Sequence, residues 1–192
     1  MGFLSRYWRR ICRSQSQSAS AKAFHEAEAG DAEAQFGLGL KFCIASGPGQ
    51  DLEQGARWYR KAAEQGHTLA QLNLGVMCAL GQGMAQDDAA ALGWTRKAAE
   101  GGDASAQFNL GSRCHRTSVN RAGKNCGESR VEAYKWFSLA SAQGYEGSAA
   151  ACERITLDMT RDELTDGNLR AAAFVATIFV QPPRPLSTEA PK

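Results

Sequence analysis

The sequence lacks the apolar run that a membrane-spanning helix needs. Such a helix takes about 20 consecutive apolar residues, and the longest candidate, residues 171–180, has half that length. A secretory signal is also missing, because residues 1–12 carry positive charge without an uninterrupted apolar region or a small-residue cleavage site. We therefore expect a soluble, cytoplasmic protein without a transmembrane helix.

Net charge is small as well, since 22 Lys and Arg residues oppose 20 Asp and Glu residues. Residues 1–25 hold five of the bases and no acid, which leaves 17 bases against 20 acids in the rest of the chain. Nucleic-acid binding relies on clustered basic side chains that displace counterions from phosphates. The mildly acidic body therefore argues against a nucleic-acid partner.

Motifs of catalysis and metal binding are absent. The six cysteines form no CxxC pair, which predicts thiols in a reducing compartment. There is no P-loop, GxSxG elbow or HExxH motif, and neither His25 nor His67 is placed like a general base. Cys114, His115 and Cys126 match no zinc spacing. We expect no catalytic residue, no metal and no cofactor, so that the protein is not an enzyme.

What the sequence does contain is an internal repeat. AEAGDAEAQFGLG begins at Ala27, AEQGHTLAQLNLG at Ala63 and AEGGDASAQFNLG at Ala99, so the copies are offset by 36 residues. A weaker copy, SAQGYEGSAAACE, begins at Ser141, which is 42 residues further on. A period of this length is typical of a solenoid.

Each copy is predicted to form two helices joined by a glycine-rich turn. In the first, helix A, residues such as Ala70, Leu74 and Cys78 recur at i, i+4 and i+8 and form a buried stripe. A glycine beside this stripe, as at Gly75, predicts close approach of a neighbouring helix, because glycine otherwise weakens a helix. The equivalent residues of the other copies are Ala34, Leu38, Gly39, Phe42, Ala106, Leu110, Gly111 and Cys114.

The second helix, helix B, buries a tryptophan that recurs in register. The three equivalent residues are Trp58, Trp94 and Trp136. Aspartates at residues 51 and 87 are predicted N-caps. Glycines are predicted to end each B helix in the left-handed conformation, and they are Gly66, Gly102 and Gly144.

A single hairpin cannot bury its own apolar face, so the copies must stack. The predicted fold class is all-α, a right-handed superhelical α/α solenoid of helical hairpins. We expect a basic amphipathic segment at 1–17, the solenoid at 18–180 and a proline-rich disordered tail at 181–192. The solenoid divides into a half-repeat 18–29, repeats at about 30–65, 66–101 and 102–143, and a degenerate unit with a capping helix at 144–180. A capping box, Thr160 to Glu163, opens the last helix.

The pattern A-x-x-x-L-G, a Gly-x-Gly loop and A-x-x-W-[YF]-x-x-A closely resembles Sel1-like repeats, which are relatives of the tetratricopeptide repeat. The match covers about residues 27–141. The clearest set is Ala70, Leu74, Gly75, Gly81, Gly83, Ala91, Trp94, Ala98 and Ala99. The chain departs from the pattern in an enlarged third loop, 115–129, and in Glu153, which replaces the packing glycine. The resemblance implies a non-catalytic adaptor or scaffold that binds a peptide or a partner domain.

In a superhelical stack the A helices line the concave surface, where an extended peptide or a helix can lie. Candidate partner-binding residues are the A-helix positions one residue short of the buried stripe, which we expect to be exposed. They are Lys41, Asn73, Met77, Asn109 and Arg113. The asparagines can hydrogen-bond a peptide backbone, and the two bases can pair with a carboxylate. The alternative is that all five are merely solvated helix positions, and the partner's identity stays open.

The N-terminus is a second candidate surface. Phe3, Leu4, Tyr7, Trp8 and Ile11 share one helical face, with arginines around it, as in interfacial helices. Residues 3–13 can lie on an anionic membrane, direct the chain to an organelle, pack on a partner or form a frayed terminus. Two alternative functions follow, a membrane-docked assembly factor and, less favoured, a small hydrolase that uses the third-repeat insertion.

Overall fold

The computed structural model describes residues 21–45, 50–120 and 126–180, and within these ranges the chain forms helices and turns with no strand. The predicted all-α fold is confirmed. The chain divides into two compact units, Met1–Ala106 and Gln107–Lys192. The N-terminal segment 1–17 and the tail 181–192 lie outside the described residues.

The helices follow one another as hairpins. Within the described ranges, residues 21–28 form α1, and eight further helices follow. They are α2 Ala32–Ile44, α3 Leu52–Glu64, α4 Thr68–Leu80, α5 Asp88–Glu100, α6 Ala104–Asn120, α7 Cys126–Ala142, α8 Ser148–Thr156 and α9 Arg161–Val180. In unit 1, α2 and α4 are the A helices, and α3 and α5 are the B helices.

Polar caps start the helices of unit 1 where the sequence predicts them. Asp51 Oδ1 accepts a hydrogen bond from Gln54 N at 2.9 Å, and Asp87 Oδ1 accepts from Ala89 N and Ala90 N at 2.9 Å. The predicted left-handed exits are also present, since Gly66 has φ +90° and Gly102 has φ +94°. Each B helix of unit 1 therefore begins and ends on the predicted residues.

The core of unit 1 lies between the A and B helices. α3 packs against both α2 and α4, and α4 packs against α5. Leu74 and Cys78 of the predicted stripe are buried together with Trp58 and Ala62 of α3. A Cβ atom at Gly75 would lie 3.2 Å from the backbone oxygen of Ala91, so this glycine does mark a close approach of helices.

Unit 2 is built around α7, which packs against α8 and α9. Its core contains Ala133, Phe137, Ala151 and Ile155. The predicted capping box is present, because Glu163 N donates to Thr160 Oγ1 at 3.2 Å and Thr160 N donates to Glu163 Oε2 at 2.9 Å. The last helix runs to Val180, as predicted.

The expected enlarged loop at 115–129 is wrong. α6 continues to Asn120 and α7 begins at Cys126, so that each has 17 residues, whereas the helices of unit 1 from α2 to α5 have 13. No glycine or proline interrupts residues 115–120, and the hydroxyl of Thr117 bonds back to the Arg113 carbonyl within the helix at 2.9 Å. The inserted residues therefore mostly lengthen two helices.

Candidate protein-interaction site

Exposed apolar side chains recur along the A helices of unit 1. Leu40 and Ile44 lie one turn apart on α2, and Val76 and Leu80 occupy the equivalent positions on α4, 36 residues later. Leu69 is exposed near the start of α4. Ile44 is 69% exposed and Val76 is 45% exposed. We name these five residues the A face of unit 1.

A cleft of about 320 Å³ opens beside the A face. Helices α2, α3 and α4 each contribute to its lining, through Cys43, Tyr59, Asn73, Val76 and Met77 among others. Val76 belongs both to this cleft and to the A face. The cleft is therefore a recess into which a side chain bound on the A face can point.

Polar side chains of the cleft, Tyr59, Asn73 and Cys43, are hydrogen-bonded to one another. The Tyr59 hydroxyl is hydrogen-bonded to the side chains of Asn73 and Cys43. Burial raises the pKa of Tyr59, Cys43 raises it further, and the Asn73 hydrogen bond partly opposes them. Burial also raises the pKa of the Cys43 thiol, against the effect of the Tyr59 hydrogen bond. Both groups are therefore neutral near pH 7, and Cys43 is a poor nucleophile.

The predicted binding residues of unit 1 differ in their surroundings. Lys41 is exposed, and Asn73 is half-buried at the cleft. Met77, in contrast, is only 4% exposed, so its expected exposure is wrong. It packs in the core with Tyr59, and its Sδ atom lies 4.0 Å from Cys43 Sγ. The exposed row runs one residue earlier than expected, through Leu40 and Val76.

Asn109 and Arg113 belong to unit 2. Asn109 is exposed and Arg113 is half-buried on α6. They occupy the same register as Asn73 and Met77 in the repeat. Their role in binding a partner remains a prediction.

A buried glutamine of each A helix was missed from the sequence. Gln35 Nε2 donates to the Ala27 carbonyl at 2.9 Å, and Gln71 Nε2 donates to the Ala63 carbonyl at 3.0 Å, so each ties an A helix to the end of the preceding B-type helix. Gln107 stands at the next equivalent position and is also buried. The sequence does contain a signal, because glutamine stands at the same position in all three copies. A solvent-exposed position does not require one particular polar residue.

Two polar side chains that suggest chemistry, His67 and Ser118, have structural partners, whereas His115 Nδ1 is buried without a hydrogen-bond partner among the described residues. His67 caps α4, since its Nδ1 accepts from Ala70 N at 3.2 Å. Ser118 Oγ donates to the backbone oxygen of His115 at 2.6 Å rather than to the imidazole. Burial raises the pKa of the Cys78 and Cys152 thiols. Across the described ranges no group of three or more His, Cys, Asp or Glu side chains is placed to hold a metal ion.

The segment 3–13, on which the membrane-docked alternative depends, lies outside the described residues. Among the helices that the structure describes, none is both long and apolar enough to span a bilayer.

Paired helices at a fixed repeat length define an α-helical repeat protein. The family model "Sel1 repeat" matches residues 32–67, 68–103 and 104–145, which together exceed half of the chain. The chain belongs to the Sel1 repeat family, as its motifs predicted. Proteins with Sel1 repeats generally mediate protein–protein interactions and have a fold that is generally a non-catalytic scaffold.

Two solved structures share the fold. One is c5321, a protective antigen of uropathogenic Escherichia coli strains with an SLR fold, which has 26% identity and a TM-score of 0.64. That match covers 91% of this chain and 38% of the antigen chain, so this chain spans well under half of that protein. The other is a Sel1 repeat protein from Oxalobacter formigenes, with 33% identity, a TM-score of 0.59 and coverage of 70% of this chain and 96% of that one. No curated protein matches the chain.

Proposed function

We propose that the chain is a non-catalytic interaction module that binds a partner protein through the A face of unit 1. The observation that carries this proposal is the distribution of exposed apolar residues. Of the ten large apolar side chains exposed within the described ranges, five lie on α2 and α4. Single exposed apolar residues are ordinary, whereas a contiguous set on one surface marks an interaction site.

The cleft gives this surface a binding pocket. A partner that lies along α2 and α4 inserts one apolar side chain beside Val76 and Met77, which line the 320 Å³ recess. Complete burial of one such side chain contributes about 1.5–3 kcal/mol. A few anchors of this kind dominate the affinity of most interfaces. The A face therefore supports binding of an amphipathic helix or an extended peptide with apolar anchors.

Polar residues at the edge of the cleft add orientation. The Asn73 amide has two donors and an acceptor with two lone pairs, and its bond to Tyr59 leaves capacity for a peptide backbone. Lys41 brings positive charge to the exposed side of α2. Asn109 and Arg113 provide the same residue types on the A helix of the third repeat. This extends the proposal to unit 2 as a separate contribution.

The test is affinity capture with two matched variants of the full chain. Val76→Asp puts a charge on the A face beside the cleft, whereas Val119→Asp makes the same change at a 67% exposed position of α6. We expect the wild type and Val119→Asp to retain the same proteins. The retained amount of each should be at least tenfold lower with Val76→Asp. Quantitative mass spectrometry of the bound fraction measures this, with circular dichroism to confirm that both variants are folded.

Equal recovery of every captured protein by Val76→Asp and Val119→Asp would contradict the A face as the binding surface. Asn73→Ala and Lys41→Ala refine the result, since each removes one polar contact and leaves the apolar anchors. For these variants we expect a smaller loss, of several fold.

A further inference from the structure

The A face of unit 1 is uncovered in the described residues, and the chain itself carries a segment with the chemistry to cover it. We propose that residues 3–13 dock on the A face of the same molecule. This inference rests on the proposed function in one respect, that the A face is a binding surface. It adds the identity of an intramolecular occupant.

The apolar residues of the segment match the surface in kind. Phe3, Tyr7 and Ile11 are spaced by four residues, and Leu4 and Trp8 follow them by one residue, so that all five share one face of a helical wheel. An amphipathic helix places such a face into an apolar groove. The A face offers five large apolar side chains and a recess lined by Val76. The C-terminal residues 181–192 are a poorer match, because Leu186 is their single large apolar residue.

The segment is tethered at the correct end of unit 1. Ala27 of α1 packs with Leu38 of α2 and accepts a hydrogen bond from Gln35. Because α1 and α2 run in opposite directions across the short turn between them, residue 21 lies level with the C-terminal half of α2. Leu40 and Ile44 are in that half.

The connecting chain is long enough. Seven residues, 14–20, separate the segment from residue 21, and seven residues span at most about 24 Å. Crossing one helix takes about 10 Å. Both α2 and α4 are therefore within reach, and a tether of this length gives an effective concentration on the order of millimolar. A contact with a Kd below about 1 mM is then mostly formed within one molecule.

Charge favours the same contact. Residues 1–20 carry four arginines and no acid, whereas residues 26–106 carry 11 acids against six bases. The A helices themselves add little repulsion, since α4 has no charged residue and α2 has one acid and one base. Opposite charge attracts the segment to unit 1, and the apolar residues fix where it binds.

The test is site-specific photo-cross-linking in the full chain. Val76 is replaced by p-benzoylphenylalanine in one protein, and Arg96, an exposed residue of α5, is replaced in a control. After irradiation, cleavage at glutamate releases residues 1–26 as one peptide, which mass spectrometry identifies in the cross-link. Mixing ¹⁴N-labelled and ¹⁵N-labelled protein separates contacts within one molecule from contacts between two.

We expect the Val76 position to cross-link to residues 3–13 of its own molecule at least fivefold more often than the Arg96 position. The double variant Trp8→Gln and Ile11→Gln, which keeps residues 1–26 as one peptide, should reduce this yield at least fivefold without changing the far-ultraviolet circular dichroism. Equal yields at Val76 and Arg96, or cross-links only between differently labelled chains, would overturn the proposal. So would retention on phosphatidylserine vesicles combined with no Val76 cross-link in their absence, because the segment would then be a membrane anchor.

This experiment needs no partner, so its failure is separate from that of the proposed function. If Val76→Asp loses its partners but no internal cross-link forms, the A face remains the partner-binding surface and residues 3–13 are not its occupant. If an internal cross-link forms but Val76→Asp recovers its partners unchanged, residues 3–13 do dock on the A face, and partners bind elsewhere.

Discussion

Gly39 of α2 lies directly against the ring of Tyr59 on α3, so that a Cβ atom at residue 39 would be 2.5 Å from Cδ1 of that ring. Tyr59 is only 3% exposed, and its hydroxyl is bonded to Asn73 and Cys43. The ring has little freedom to move away. The same glycine therefore sets the distance between α2 and α3 and the position of the tyrosine that lines the cleft.

Gly39→Ala is expected to destabilise unit 1. Alanine improves helix propensity by about 0.5–1 kcal/mol, but overpacking of a core costs about 1–3 kcal/mol, so the net loss should be about 1 kcal/mol. Gly37→Ala is the matched control on the same helix, because a Cβ there meets nothing within 4 Å. It should raise the free energy of unfolding. Urea denaturation measures both, and a stabilised Gly39→Ala protein would contradict the close-packing argument.

Gln71 gives a second prediction, on the joint between consecutive repeats. Its side chain is 7% exposed and donates to the Ala63 carbonyl at the end of α3. Gln71→Ala removes this hydrogen bond and leaves a small cavity, which should lower the free energy of unfolding by about 1–3 kcal/mol. Gln86→Ala, at an exposed position before α5, should change it by less than about 0.5 kcal/mol. Equal effects of the two substitutions would show that the buried hydrogen bond has no role.

His67 gives a third prediction, on helix capping. Its Nδ1 accepts from Ala70 N, its Nε2 lies 3.1 Å from Glu33 Oε2, and its ring stacks on Phe36 at 4.5 Å. This geometry assigns the proton to Nε2. His67→Ala should lower the free energy of unfolding by about 0.5–2 kcal/mol. His67→Asn should recover most of that loss, because asparagine is a good N-cap, and failure to recover would assign the histidine's contribution to stacking instead.

Much of this fold could be predicted from repetition alone. Residues such as Leu74, Gly75 and Trp58 have equivalents in several copies, so a single assignment of helices and buried positions has to fit all copies at once. Met77 shows where the argument ends. Its equivalent in the preceding copy, Lys41, is exposed, but Met77 contacts Cys43 and Tyr59, which belong to the preceding repeat. Burial at that position depends on the neighbouring hairpin, which a single-helix pattern does not contain.

The cleft could not be predicted for the same reason. It is lined by residues of three helices, and the Tyr59 hydroxyl that connects Asn73 with Cys43 lies in a B helix. The repeat pattern predicts an exposed Asn73 but does not indicate that a bond to Tyr59 already uses part of its hydrogen-bonding capacity. Spacing predicts which face of a helix is buried, whereas the chemistry of a recess depends on which side chains meet there.

The ion pairs that fasten α9 to α7 give a fourth prediction, on acid stability. Arg170 on α9 is paired with Glu128 and Glu132 on α7, and Arg130 on α7 is paired with Glu163 at 2.7 Å. The hydrogen bond from Arg170 lowers the pKa of Glu128. The backbone hydrogen bond from Thr160 is the main cause that lowers the pKa of Glu163, with Arg130 adding to it. Both carboxylates are therefore more acidic in the folded chain than in the unfolded one.

A carboxyl group with a lowered folded pKa stabilises the native state fully above its unfolded pKa, about 4.3 for glutamate, and loses that contribution as the pH falls through the folded value. We therefore expect the urea midpoint of the chain to fall as the pH decreases below about 4.5. Glu163→Gln should lower the midpoint at pH 7 and flatten this dependence. Arg130→Gln should retain more of the pH dependence of the midpoint, because the Thr160 backbone bond to Glu163 remains. The prediction is contradicted if the midpoint of Glu163→Gln still depends on pH as in the wild type while that of Arg130→Gln does not. The acid sensitivity would then arise from a group other than Glu163.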